Sequence, residues 1–265
     1  MKFIHVTDLH LVAPGEMLWG NDPFARLDAC LRDIAAYHQD AAFCFISGDL
    51  SERGEKQAYE ALKQRLAGFP LKTVLMLGNH DTRDHYFEVF QDAPADTNGY
   101  AQQVLDMEGR RFLFLDTVSE PFNSAGWYCQ DRQNWLQDQL ASAPGDIYIA
   151  MHHPPFDINI KYMDRIKLEQ NEAFAALIAG NPKVRHLFFG HVHRVVFGSW
   201  RGVPYSALPA LNHQVPLVGG SVNSPYSDEP PMYGVISLNE DQMLVHYDAF
   251  WDRKELPDPP RPKKS

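Results

Sequence analysis

Lys2-Phe3-Ile4-His5-Val6-Thr7-Asp8-Leu9-His10 opens the chain as an apolar, β-branched run that ends in a carboxylate and an imidazole. The run reads as a buried strand, and Asp8 and His10, two residues apart just past its end, can turn toward one point. The same pattern recurs along the chain. Ala42-Phe43-Cys44-Phe45-Ile46 leads into Ser47-Gly48-Asp49, and the strand predicted at 72–77 leads into Gly78-Asn79-His80-Asp81. The strand at 146–151 ends in Met151-His152-His153-Pro154-Pro155, and Leu187-Phe188-Phe189 ends in Gly190-His191-Val192-His193. In open α/β sheets ligands bind at the carboxyl ends of strands, where these polar residues fall.

Working outward, further strands are predicted at 101–106, 111–116, 184–189, 195–199, 203–207, 232–238 and 242–249, and helices at 23–39, 54–67, 83–90, 131–141 and 169–180. Ala58, Ala61, Leu62, Arg65 and Leu66 share one face of the second helix, and Asp131 is the expected N-cap of the fourth. Early strands alternate with helices and later ones cluster, which predicts a layered α/β fold with mixed sheets. A catalytic core over 1–207 is expected, then an arm and strand pair over 208–256 within the same fold, then a disordered Pro- and Lys-rich tail over 257–265. Residues 154–168 and the Gly- and Pro-rich 212–231 read as irregular.

The 265 residues carry 24 Lys and Arg against 34 Asp and Glu, a net charge of −10. That balance argues against nucleic acid as a partner, although bound cations could still attract a small phosphate ester. Cys30, Cys44 and Cys129 are odd in number and lack CxxC spacing, so they read as free thiols in a reducing compartment. No apolar run is long enough for a bilayer and no leader precedes the first strand, so a cytoplasmic, membrane-free enzyme is expected.

Asp8, His10, Asp49, Asn79, His152, His191 and His193 offer two carboxylates, one amide and four imidazoles. That is too many ligands for one metal and suits two cations sharing Asp49. Oxygen and imidazole donors without thiolate suit Fe, Mn, Zn or Co. Taken singly, each block reads as an ordinary turn. Jointly they form a pattern: Asp8-x-His10, Gly48-Asp49, Gly78-Asn79-His80-Asp81, His152-His153-Pro154 and Gly190-His191-x-His193 resemble the calcineurin-like metallophosphoesterase superfamily. The strings at 151–155 and His213-Gln214-Val215-Pro216 resemble its bacterial class III cyclic-nucleotide phosphodiesterase and glycerophosphodiesterase branch.

The resemblance implies a four-layer αββα sandwich of two mixed sheets flanked by helices, with a β-rich C-terminal extension used for capping or homo-oligomer contacts. It implies that Asp8, His10 and His193 hold one divalent ion, that Asn79, His152 and His191 hold a second, and that Asp49 is shared. His80 would stand beside the phosphate as a catalytic residue, Asn79 and His213 would also contact substrate, and His153 would support the site. A water or hydroxide held by the metals would attack a small phosphodiester, either a cyclic nucleotide or a glycerophosphodiester. Phosphomonoesterase or protein-phosphatase activity, a nuclease, and a scaffold without catalysis are the alternatives. Asp81 and Asp116 are candidates to orient the imidazoles. For His213 the competing reading is a solvated loop histidine. Asp22 and Arg26 read as caps or surface charge, and Trp19, Phe122, Trp127 and Tyr128 as pocket walls or edge packing.

Overall fold

Two sheets face each other, and each is covered on its outer side by helices. A computed structural model describes residues 1–119, 124–217 and 226–254. In chain order the elements are β1 (Lys2–Val6), α1 (Pro23–Tyr37), β2 (Cys44–Ile46), α2 (Lys56–Leu66), β3 (Thr73–Leu75), α3 (Arg83–Val89), β4 (Gln103–Met107) and β5 (Arg110–Leu115). There follow α4 (Gln130–Ala141), β6 (Ile147–Met151), α5 (Asn171–Ile178), β7 (Val184–Phe189), β8 (Val196–Trp200), β9 (Val203–Ala207), β10 (Tyr233–Leu238) and β11 (Met243–Asp248). Every predicted strand and helix has its counterpart among these.

One sheet has the order β11-β10-β1-β2-β3, with β1, β2 and β3 parallel and β10 antiparallel to β1. The other has the order β4-β5-β6-β7-β9-β8, parallel except at its two edge strands. Both sheets are mixed, and the terminal strand pair completes the first of them.

The period-two rule explains the layers. Phe3 of β1, Phe45 of β2, Phe112 and Phe114 of β5 and Phe188 of β7 fill the space between the sheets. Phe3 stacks on Phe43 at 5.0 Å and meets Phe112 edge-on at 5.3 Å, the offset and T-shaped geometries that aromatic rings favour. The alternate residues face outward. Ile4, Val6, Cys44 and Ile46 pack with Leu27, Cys30, Ile34 and Leu62 of α1 and α2. Leu113, Ile149 and Leu187 pack with Leu136, Leu140, Phe174 and Ile178 of α4 and α5. Burial on both faces is why these strands read as unbroken apolar runs.

Asp22 caps α1, its side chain accepting from the amides of Phe24 and Ala25, with Pro23 at the first helical position. Two local expectations are corrected. α4 starts one residue earlier than predicted, after Cys129 as N-cap; Asp131 lies inside the first turn, where its charge complements the helix dipole instead of capping. Arg26 is not surface charge: it is buried and donates to the carbonyls of Leu211 and Asn212. Cys30 and Cys44 are buried free thiols and Cys129 is a partly exposed one. Among the described residues no helix is long and apolar enough to cross a membrane. The expectation of a disordered tail, Phe122 and part of the 212–231 arm fall outside the described residues.

Candidate metal centre

The parallel strands β1, β2, β3, β6 and β7 end at one rim of the sandwich, and the chain leaves several of them in a sparsely populated conformation. Asp8, His10, Asp49, His191 and His193 all have left-handed backbones, with φ of 52°, 46°, 49°, 68° and 49°. Such residues each cost on the order of 1–3 kcal/mol and persist where surrounding structure holds them. The glycines beside them are required by close approach. A Cβ on Gly78 would lie 2.2 Å from Asp49 Oδ1, and one on Gly190 would lie 2.4 Å from Thr7 Oγ1.

The outcome is convergence of all seven predicted ligand residues. His10 Nε2 and His193 Nε2 are 3.0 Å apart, His193 Nε2 is 3.3 Å from Asp8 Oδ1, and His10 Nε2 is 3.6 Å from Asp49 Oδ2. Donor atoms of Asp8, His10, Asp49 and His193 all lie within 4.8 Å of one another. On the other side of Asp49, its Oδ2 is 3.3 Å from His152 Nε2, which in turn is 3.3 Å from Asn79 Oδ1. His191 joins His152 and His153 in a second group, and its backbone N–H donates to both oxygens of Asp8.

The outward nitrogens decide what the inward ones can do. His10 Nδ1 donates to Glu52 Oε2, His193 Nδ1 to the carbonyl of His213, and His152 Nδ1 to the carbonyl of Ser47, at 2.7, 2.8 and 2.7 Å. Each acceptor places the ring proton on Nδ1, so each Nε2 presents a lone pair to the centre. Among the described residues His191 Nε2 is buried with no hydrogen-bond partner. The lone pairs of His10 Nε2 and His193 Nε2 face each other at 3.0 Å beside two carboxylates, and such nitrogens are costly to bury unless a cation or a proton draws on them. The donor set therefore fits two divalent cations. Burial disfavours charge on His152, but the carboxylates of Asp49 and Asp8 outweigh it and push its pKa up to about 9. Proton and cation would compete for the same nitrogen.

The carboxylates are oriented as firmly as the rings. Thr7 Oγ1 donates to Asp8 Oδ2 at 2.6 Å, and Ser47 Oγ donates to Thr7 at 2.7 Å. His5, buried in β1, lies 2.8 Å from Ser47 and ends this chain of hydroxyls. Asp49 Oδ1 accepts the backbone N–H of His80 at 2.9 Å.

Both carboxylates proposed to orient imidazoles do something else. Asp81 accepts from the amides of Gly78, Leu50 and Ser51 and from Tyr59 Oη, so it ties the β2 and β3 loops together. Burial first, and then the charge of Asp49, push its pKa up to about 6. Asp116 is buried against Arg83 and Arg132. The orienting carboxylate is Glu52, which sequence reasoning missed. Its chance of being noticed was small, because nothing local separates it from Glu55; only the Leu11–Ser51 bridge brings its loop over His10. Glu52→Ala is expected to weaken metal binding at the His10 side by about 10- to 100-fold with the fold intact. Metal titration alongside circular dichroism checks this; unchanged affinity would sink it.

His80 stands half-buried over the centre, its Nδ1 donating to the carbonyl of Glu52 at 2.7 Å. His213 is not a solvated loop residue: only 3% of it is exposed, and its ring lies 4.7 Å from those of both His10 and His193. Burial, then the neighbouring His193 and His80, lower its pKa to about 2. His153 is buried 2.8 Å from Thr117 Oγ1, behind His152 and His191. Tyr128 is fully buried, whereas Trp19 stands exposed beside His213 at 6.2 Å between ring centres.

The sequence matches the profile of the calcineurin-like phosphoesterases over residues 1–195. It is 39% identical over 254 residues to a probable cyclic nucleotide phosphodiesterase of Rhodopseudomonas palustris, covering 94% of this chain and 93% of the relative. It is 27% identical to the glycerophosphodiester phosphodiesterase GpdQ of Enterobacter lignolyticus, covering 95% of this chain and 94% of that one. Among solved structures, a dimetal phosphatase from Danio rerio superimposes with a TM-score of 0.71 at 13% identity, over 94% of this chain and 96% of that one, a likeness of fold. With the profile spanning most of the chain and the converging Asp, Asn and His side chains at its sheet rim, the chain belongs to the calcineurin-like phosphoesterase family.

Proposed function

We propose that this protein hydrolyses a small phosphodiester, a cyclic nucleotide or a glycerophosphodiester, using two divalent cations. Asp8, His10, Asp49 and His193 would hold one cation, and Asp49, Asn79, His152 and His191 the other. The observation that carries this reading is the position of Asp49 Oδ2, which lies 3.6 Å from His10 Nε2 and 3.3 Å from His152 Nε2, between the two groups of candidate ligand atoms. When bound, such a pair of ions supplies positive charge to phosphoryl oxygens and makes water a nucleophile near neutral pH. The full-length relatives named above support the choice of substrate class.

The protein's own groups do the rest. His80, anchored through Nδ1, can point Nε2 into the cleft to bind a phosphoryl oxygen or to protonate the leaving alkoxide. Asn79 and His213 line the same cleft, and Asn79 would share in holding the substrate. Among the described residues lining the cleft there is no Lys or Arg. Arg83, the nearest candidate in sequence, is bound to Asp116 instead. A phosphomonoester dianion would therefore find no Lys or Arg charge in the cleft among the described residues, which favours the singly charged diester.

The test compares kcat/KM of the manganese-loaded protein for 3′,5′-cyclic AMP, glycerophosphoethanolamine and p-nitrophenyl phosphate. At least one diester is expected to exceed the monoester by about tenfold or more. A faster monoester, or no turnover of any of the three, overturns the proposal.

A further inference from the structure

Trp19 sits where its own sequence neighbourhood disfavours it. Leu18 and Asn21 exchange both backbone hydrogen bonds, at 2.9 and 3.0 Å, around the two-residue turn Trp19-Gly20. The two turn residues have φ of 54° and 82°, the pattern of a type I′ turn. Its first central position favours Asn, Asp or Gly, and a bulky residue with positive φ is an outlier. Here the chain places an indole there and leaves it 62% exposed. Strain and solvent exposure both count against the residue, and no packing in the core compensates for them.

The turn is nevertheless pinned in place. Asn21 Nδ2 donates to the carbonyl of Asn212, Asn212 Nδ2 donates to that of Leu18, and buried Arg26 donates to the carbonyl of Asn212 and the side chain of Asn21. The segment holding the turn is the one whose His213 carbonyl orients His193. Trp19 is thereby fixed relative to the candidate metal centre. Its ring meets Tyr226 at 5.0 Å with an angle of 57° between planes, forming an open aromatic corner. Tyr226 lines the same cleft as the metal-centre side chains and lies 4.2 Å from the His213 ring, which lies 4.7 Å from His10. The corner and the candidate metal centre are thus separated by the ring of His213, which contacts both.

We infer that Trp19 and Tyr226 form a stacking subsite for the base of a nucleotide diester, selecting cyclic nucleotides over aliphatic diesters. This rests on the hydrolytic reading above. A heteroaromatic base joined to its phosphate through a sugar spans such a separation, whereas a glycerol or ethanolamine chain offers no π-face to the indole. Stacking tolerates any base, so adenine and guanine nucleotides are both accommodated.

The test is the ratio of kcat/KM for 3′,5′-cyclic AMP over that for glycerophosphoethanolamine. Trp19→Ala is expected to lower this ratio roughly 10- to 100-fold, mainly through KM for the cyclic nucleotide, and Trp19→Phe to restore most of it. In a second measurement, AMP is expected to quench the tryptophan emission of the wild-type protein, glycerol 3-phosphate to leave it unchanged, and Trp19→Phe to abolish the AMP response. An unchanged ratio in Trp19→Ala overturns the inference. So does a change of mass in solution without a change of ratio, which makes the indole a contact between copies. If wild type turns over neither diester, the hydrolytic reading fails, and the AMP quenching still decides whether the aromatic corner binds a base.

Discussion

Replacing His80 with alanine is expected to lower kcat by about 10²- to 10⁴-fold while both cations stay bound. The reason lies in which part of residue 80 does which job. Its backbone N–H donates to Asp49 Oδ1 at 2.9 Å and holds the shared carboxylate, and any residue but proline supplies that bond. Its side chain holds none of the candidate ligands by a direct hydrogen bond: Nδ1 donates to the carbonyl of Glu52, whose carboxylate holds His10 separately, and the ring meets His10 edge-on at 4.8 Å. What alanine removes is the Nε2 facing the cleft. A group that stabilises or protonates the departing oxygen acts in the transition state, so kcat falls with kcat/KM. Metal content by atomic emission, kcat, and the pH–rate profile of wild type and variant check this together. The variant profile should lose one limb. Loss of metal, or turnover within twofold of wild type, would return His80 to a structural role.

The fold and the convergence of the candidate ligand residues were legible for one physical reason: both are written in local runs. Strands buried on both faces must be apolar throughout, and a parallel sheet puts all their ends at one rim, so the side chains after Val6, Ile46, Met151 and Phe189 had to meet near it. What orients those side chains was not legible, because it comes from residues distant in sequence. Glu52 reaches His10 across 42 positions, and the His213 carbonyl reaches His193 across 20. Asp81 and Asp116 look equally suited to the task from sequence. The first was captured by loop amides and the second by arginines. Trp19 was visible only as one aromatic in a loop; its meaning depends on a left-handed φ and on the Asn212 segment that pins its turn.

Asp116 carries the other large expected effect, on stability and not on chemistry. Its carboxylate is fully buried and accepts from Arg83 Nε at 2.7 Å and Nη2 at 2.8 Å, and from the amides of Ala101 and Val118 at 3.0 and 2.9 Å. Arg132, also buried, lies 3.6 Å away, and both guanidinium groups lie over the ring of Tyr100. Asp116→Ala removes the buried carboxylate that Arg83 and Arg132 both face. Breaking a buried pair in this way costs about 3–5 kcal/mol, and at roughly 2–4 °C per kcal/mol the melting temperature should fall by about 6–20 °C. The carbonyls of residues 116 and 118 still accept from Arg132, which limits the damage to that side. The pH dependence gives a second signature. Burial works against charge on Asp116, but Arg83 and then Arg132 overcome it and hold the pKa below the ordinary value. A carboxyl depressed on folding contributes stability that is present above its unfolded pKa, about 4, and is lost as pH falls through the folded value. Asp116→Asn keeps the shape and should therefore be destabilised at pH 7 but lose stability less steeply than wild type below pH 4. Parallel denaturation curves of the two proteins over that acid limb would refute the assignment, because they would mean that the Asp116 charge does not contribute to the folded state.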